Sequence, residues 1–166
     1  EGLKTGVFTL FSSDHCPFRY DDTQGKLAPK GRTSFRWVPN GIPGVAARLP
    51  ILFSEGVSKG RIDINTFVAV TATNHARTYG LYPRKGTIAV GSDADIAIWD
   101  PKKTMTISNA NQHHGADYTP YEGIKVKGWP VLTMVRGAIV MKDGALVSER
   151  PMGSYQKRGR SGIVAG

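Results

Sequence analysis

A single cysteine, Cys16, leaves no partner for a disulfide within the 166 residues, which agrees with a reducing compartment. Long apolar runs are missing as well. Val7–Phe11 and Ile96–Trp99 fall far short of the roughly 20 residues that span a bilayer, so no membrane crossing is expected. The opening Glu1-Gly2-Leu3-Lys4 has none of the basic, apolar and small-residue order of a signal peptide, and a cytoplasmic location is the working expectation. Nucleophile elbow, phosphate-binding loop, dinucleotide fingerprint, CxxC pair and HExxH are all absent, which removes the reactions those motifs serve. Basic residues outnumber acidic ones, 22 to 13, for a net charge of +9. They are scattered, however, with a small concentration at Arg150, Lys157, Arg158 and Arg160 and no interleaved aromatics, so no nucleic-acid partner is expected.

What is present is an ordinary globular composition, 40% hydrophobic and 21% charged, enough for one domain with a core or for two incomplete ones. Gly6–Phe11 is a short apolar and β-branched run leading into the polar Ser12–Phe18, which predicts a buried strand ending in a loop. Asp21–Asn40 is polar and rich in Gly, Pro and Lys, a long loop of the kind that often carries function. Val45, Leu49, Leu52 and Phe53 have helical spacing, but Pro50 must break or kink any helix there, so two short helical pieces are expected over Val45–Val57. Asp63 can cap a further helix from about Ile64, with Phe67, Val70 and Ala72 as core positions, a restart near Asn74 and a stop at Gly80.

From Gly86 onward the period shortens. Thr87–Val90, Ala94–Trp99 and Lys103–Ile107 read as strands, and Val131–Arg136, Ala138–Met141 and Ala145–Val147, separated by Gly137 and Asp143-Gly144, read as an antiparallel meander. Strand, loop and helix first, clustered strands later, is the pattern of an α/β unit followed by part of a β-domain, with the boundary near Pro83.

Asp14 is the sharpest chemical candidate. In parallel α/β architectures the carboxyl ends of strands aim side chains at one point, and a carboxylate there can ligate a cation or shuttle a proton. The competing reading is an Asp that caps its own loop through backbone amides. His15 and Cys16 adjoin it, but consecutive loop residues seldom converge on one ion. The adjacent His113-His114 suits a loop or an interface better than a ligand set, and His75 has no partner at a suitable offset. One convincing ligand falls short of the three that a catalytic zinc usually takes.

Several ordered segments carry a resemblance. SDHCPF at Ser13–Phe18, PNGIPG at Pro39–Gly44, LFSEGV at Leu52–Val57, KGTIAVGSDADIAIWDP at Lys85–Pro101, YTPYEG at Tyr118–Gly123 and KGWPV at Lys127–Val131 together resemble the dihydropyrimidinase and hydantoinase family. The similarity runs to about Arg150. It implies an α/β fold: the end of an amidohydrolase-type (β/α)8 TIM barrel over residues 1–83, part of a small β-sandwich over 84–149, and a basic tail over 150–166, either flexible or docked on a neighbouring subunit. It also implies two zinc ions, hydrolysis of cyclic amides such as 5,6-dihydropyrimidines or 5-substituted hydantoins to N-carbamoyl amino acids, and a homotetramer.

In that family's pattern the residue at Asp14 ends the eighth barrel strand, ligates a metal and exchanges the proton of a metal-bridging hydroxide, and the backbone groups of the residue at Asn40 bond the ring's amide edge. The family's HxH pair, carboxylated lysine and two further metal-binding histidines have no counterpart here, so the expectation is a C-terminal part that needs the N-terminal part of the barrel and is inactive alone. The alternative implied by resemblance is a non-catalytic scaffold similar to the collapsin response mediator proteins. Asp14 favours the enzyme, and the missing histidines decide between the two, since a full-length sequence carrying them supports catalysis and one lacking them supports a scaffold.

Overall fold

The computed structural model describes residues 1–21, 23–148 and 150–162. Its first half is helical and its second half is one antiparallel sheet, a mixed α/β arrangement in which the two halves share their interior. A short helix α1 (Pro29–Thr33) and a 3-10 turn (Phe35–Trp37) interrupt the long polar loop. The two helical pieces expected next are present, but the first, α2 (Val45–Leu52), passes through Pro50 and the division falls after Leu52. Proline supplies no N–H to the ladder, and the helix widens just beyond it: the Phe53 N–H bonds both the Leu49 and Pro50 carbonyls, and a π-helical stretch occupies Phe53–Ser58. The Pro50 ring is fully buried, so packing offsets the lost hydrogen bond.

Asp63 caps the next helix as its chemistry demands, its Oδ1 accepting from the Thr66 N–H at 2.7 Å. α3 (Ile64–Val68), a second π-helical stretch (Ala69–Thr73) and α4 (Asn74–Thr78) form one continuous path that ends at Gly80, where φ is +68°. Phe67 and Val70 are buried as the spacing predicts, but Ala72 is exposed and Ala76 is buried instead. A π turn takes up more residues than an α turn, so the buried face moves along the sequence after Val70.

The sheet has the order β1 (Ile96–Thr106), β2 (Lys125–Val135), β3 (Ala138–Lys142) and β4 (Ala145–Leu146), every pair antiparallel. The meander is the one the sequence predicts. The strands expected at Ala94–Trp99 and Lys103–Ile107 are one strand, β1, which carries Pro101 across a break in register between Asp100 and Thr104. β1 lies at the edge of the sheet, where a proline's missing donor costs little. Asp100 fills the irregularity, its Oδ1 accepting the N–H groups of Lys102 and Lys103.

Two expected strands are absent. Thr87–Val90 is a loop with Ile88 and Val90 fully exposed. Gly6–Phe11 joins no ladder: a strand needs a neighbouring backbone, and here side chains and a helix supply its partners. The Phe11 N–H donates to the Val70 carbonyl at 2.9 Å, and Asn74 Nδ2 donates to the Thr9 carbonyl at 2.9 Å. Val7 and Phe8 are exposed rather than buried.

Phe53, Phe67 and Trp99 form the centre of one core, Phe53 stacked on Trp99 at 4.9 Å and Phe67 edge-on to both. β2 makes room at Gly128, where φ is +95° and a Cβ would lie 2.1 Å from the Phe53 ring. A second cluster joins Ala47 of α2 to Val126 of β2 and to Ile107 beyond β1. The tail lies partly outside the described residues; within its described part the Gly159 and Gly162 N–H groups donate to the Gly80 and Arg77 carbonyls, both at 2.8 Å.

Candidate active-site loops

Asp14 stands in the loop that follows Phe11, exposed, with φ at +45°. That conformation costs an ordinary residue roughly 1–2 kcal/mol, and Asp is one of the few that visit it as a single residue. The segment before it is clamped at the Phe11 carbonyl, which accepts from Arg48 Nη1 at 2.5 Å and lies 3.2 Å from His75 Nε2. Partial burial pulls the Arg48 guanidinium below its ordinary range, without a carboxylate partner to oppose it among the described residues. His75 thus braces the approach to Asp14, and its ring stacks near Tyr79.

The next residues tie this loop to the one that carries Asn40. His15 Nδ1 accepts the N–H groups of Gly44 and Val45 at 3.0 and 3.2 Å, capping the start of α2. The Cys16 N–H donates to the Ile42 carbonyl at 3.1 Å. Gly41, with φ at +102°, is the only residue type that fits beside Cys16, since a Cβ would fall 2.4 Å from Cys16 Cβ. His15 through its ring and Cys16 through its backbone thus join the two loops.

Asn40 is exposed, and among the described residues neither its N–H nor its carbonyl is engaged by the protein. Its peptide partner is engaged: Lys26 Nζ donates to the Pro39 carbonyl at 2.6 Å. Lys26 and Arg48 were not legible as site residues, because each acts through a contact to a backbone atom distant in sequence and neither belongs to a recognisable motif.

A third segment closes on the same loops. Asp117 Oδ1 accepts the Tyr20 N–H at 2.7 Å, the Tyr20 and Tyr118 rings lie 5.2 Å apart, and His114 approaches His15 at 6.1 Å between ring centres. Burial raises the Tyr118 phenol above its ordinary range, and the charge of Asp117 adds to this. His114 accepts the Ala116 N–H through Nδ1, whereas His113 is exposed, so the pair is divided between a loop turn and the surface.

Chemically, the arrangement offers one accessible carboxylate and, across a fixed pair of loops, one open peptide group. No group of three or more His, Cys, Asp or Glu able to hold a metal occurs among the described residues. Two clefts, of about 570 and 380 Å³, lie along the sheet, lined by residues such as Ser54, Thr104 and Lys127 in one and His113, Trp129 and Met141 in the other; neither is lined by Asp14 or Asn40. Asp14 and Asn40 both lie exposed on the loops.

The amidohydrolase family model matches residues 1–140. A D-hydantoinase of Ralstonia pickettii is 44% identical over 156 residues, 94% of this chain and 33% of that protein. A dihydropyrimidinase of Rattus norvegicus is 44% identical over 142 residues, 86% of this chain and 26% of that protein. The solved D-hydantoinase of Bacillus sp. AR9 superposes with a TM-score of 0.90 at 44% identity, covering 96% of this chain and 34% of that structure. The chain thus spans about a third of the length of the relatives it matches. The family model covers most of the chain, which is similar to D-hydantoinases and a dihydropyrimidinase over about a third of their length or less, and the chain belongs to the amidohydrolase family.

Proposed function

We propose that the chain is the C-terminal part of a metal-dependent hydrolase that opens the ring of 5,6-dihydropyrimidines or 5-substituted hydantoins to N-carbamoyl amino acids. In this reading residues 1–83 complete a (β/α)8 barrel, residues 84–149 contribute to a β-sandwich and residues 150–166 form a basic tail. The N-terminal part of the barrel supplies the strands that would pair with Val7–Phe11, and the assembly is a cytoplasmic homotetramer.

The observation that carries the proposal is the joining of the Asp14 and Asn40 loops by His15 and Cys16, which sets a carboxylate and an open peptide group on neighbouring loops. The amidohydrolase family is generally metal-dependent. Asp14 fits such a centre as one ligand: its carboxylate is exposed and hard-donor in character, and among the described residues no salt bridge occupies it. The remaining ligands of a two-zinc site, a carboxylated lysine among them, come from the N-terminal part. When bound, the metal would lower the pKa of water so that a nucleophile exists near neutral pH.

Asp14 then accepts one proton of the attacking water and delivers it to the ring nitrogen as the carbon–nitrogen bond breaks; the ring carbonyl carbon becomes a carboxylic acid that ionises by releasing water's other proton to solvent, and the nitrogen becomes the amide nitrogen of the carbamoyl group, both still joined through the opened ring. The Asn40 peptide holds the ring by its amide edge, fixing the carbonyl beside the nucleophile.

The test is zinc content and hydantoin or dihydrouracil hydrolysis by this chain, alone and combined with an N-terminal segment carrying the family's histidines and lysine. Turnover by the combination alone, lost in Asp14→Ala, supports the reading. A folded, metal-free and inactive combination replaces it with the scaffold reading.

A further inference from the structure

We propose that Lys26 is a positioning residue for the substrate-facing peptide of Asn40, holding that peptide in place and making its N–H a stronger donor. The inference rests on the reading of Asn40 given above and adds a residue to it.

Lys26 is half-buried, and its Nζ lies 2.6 Å from the carbonyl oxygen of Pro39. That oxygen belongs to the same peptide unit as the N–H of Asn40. A cation on a peptide oxygen draws electron density through the amide, so the N–H at the other end of the unit carries more positive charge and donates more strongly. The ammonium reaches the site indirectly, without itself meeting a ligand.

Its placement is built rather than incidental. The Lys26 N–H donates to the Arg19 carbonyl at 3.0 Å, and the Leu27 N–H donates to the Asp21 carbonyl at 3.0 Å. The Asp21 carboxylate accepts the Gly25 N–H at 2.9 Å and pairs with Arg19 at 2.6 Å. Gly25 is buried against this turn, where a Cβ would lie 2.5 Å from the Arg19 carbonyl oxygen. The loop therefore presents Lys26 from a closed base, while the Cys16–Ile42 hydrogen bond and the Gly41 contact fix the peptide from its other side. Pro39 adds rigidity, since its ring leaves the chain little freedom in φ where the lysine grips it. Between Thr23 and Ser54 the sequence has five basic residues and no acidic one, so Lys26 works within a positive stretch.

An amide edge offers both a carbonyl and an N–H to Asn40. Weakening the Asn40 donor would loosen substrate, and the loss should fall mainly on KM if the hydrogen bond is equal in ground and transition states.

The experiment uses the chain assembled with its complementing N-terminal segment and compares hydantoin hydrolysis by wild type, Lys26→Met, Lys26→Arg and Asp14→Ala at matched zinc content and matched thermal melting. Lys26→Met is expected to lower kcat/KM by about tenfold or more, chiefly through KM, and Lys26→Arg to stay within about twofold of wild type, because hydrogen bonds to charged groups are the stronger class. A Lys26→Met enzyme equal to wild type, with Asp14→Ala inactive, overturns the role of Lys26 and leaves the hydrolase reading standing. Equal losses in Lys26→Met and Lys26→Arg also overturn it, since the charge would then not be what matters. A folded wild-type assembly without turnover removes the hydrolase reading and this inference with it.

Discussion

The imidazole of His15 accepts the backbone N–H of Gly44 at 3.0 Å, and so the residue after Asp14 caps the helix whose N-terminal loop contains Asn40. Helix starts leave their first N–H groups without internal partners, and a side chain from another segment rarely serves both to cap and to join two loops. His15→Ala should therefore cost about 0.5–2 kcal/mol, the range for loss of a cap. Urea unfolding measures the cost, and amide exchange at Gly44 and Val45 locates it. Unchanged exchange at both amides would count against the cap.

His15 also shows what was legible in the sequence and what was not. Its neighbour Asp14 could be singled out from a short apolar run followed by a polar loop, and the Asp63 cap and the Gly80 stop follow from local chemistry that needs no partner. The use of His15 depends on Gly44, 29 residues away, and no local pattern encodes that distance. The same limit explains the strand expected at Gly6–Phe11. Its composition favours extended backbone, but a ladder depends on what lies beside it, and Asn74, Arg48 and His75 take that place. Pro50 announced two short helical pieces, and two are present, but the division falls after Leu52 because a buried ring and a widened turn let the first piece run past the proline. Ala72 and Ala76 exchange places because π turns are invisible to a 3.6-residue period.

Lys85 lies between two carboxylates, 2.9 Å from Asp93 and in direct contact with Asp95, with Arg84 3.0 Å from Asp93. Hydrogen bonds from Lys85 and Arg84 hold Asp93 below the ordinary carboxylate range. Burial works to raise Asp95, but the Lys85 and Arg136 donors outweigh it and the net shift is downward. Burial likewise works to lower Lys85, and its two carboxylate partners outweigh that, so it is raised. The depressed carboxylates contribute stability above their unfolded values and lose it as acid protonates them in the fold. The raised lysine contributes below its unfolded value and loses it as alkali removes its proton. The thermal midpoint should therefore fall at both extremes, and Lys85→Met should flatten both limbs. An unaltered pH profile in that variant would remove the cluster from the account of stability.

Gly128 and Gly91 separate two causes of strain. Both have positive φ, +95° and +90°, but a Cβ at Gly128 would strike the Phe53 ring and one at Gly91 meets nothing within 4 Å. Gly91→Ala should cost roughly 1–2 kcal/mol from the left-handed backbone alone. Gly128→Ala adds displacement of Phe53 from its stack on Trp99, a further 1–3 kcal/mol or so for overpacking. Denaturant midpoints give the difference, and near-ultraviolet circular dichroism of the Trp99 environment should change only in the Gly128 variant. Equal losses at the two sites would mean that Phe53 yields without cost.

The tail's contact with α4 connects a distant segment to the clamp before Asp14. Ser161 Oγ donates to the Thr78 carbonyl at 2.5 Å, and the Gly159 and Gly162 N–H groups cover the Gly80 and Arg77 carbonyls, so three acceptors at the end of that helix are satisfied from the tail. Removing residues 159–166 leaves the Thr78 and Gly80 carbonyls to water, and leaves the Arg77 carbonyl with the Gly80 N–H at 3.2 Å. The net loss should be about 1–3 kcal/mol at most, since each such bond contributes about 0.5–1.5 kcal/mol and the tail regains conformational freedom. The fraying should reach His75, one turn earlier, whose Nε2 lies 3.2 Å from the Phe11 carbonyl. Amide exchange should therefore accelerate from His75 to Gly80 and at Phe11, while amides in the centre of β2 keep their protection. Acceleration confined to Gly80 would show that α4 holds its end without the tail, and that the support beneath Asp14 rests on Arg48 and the helix body instead.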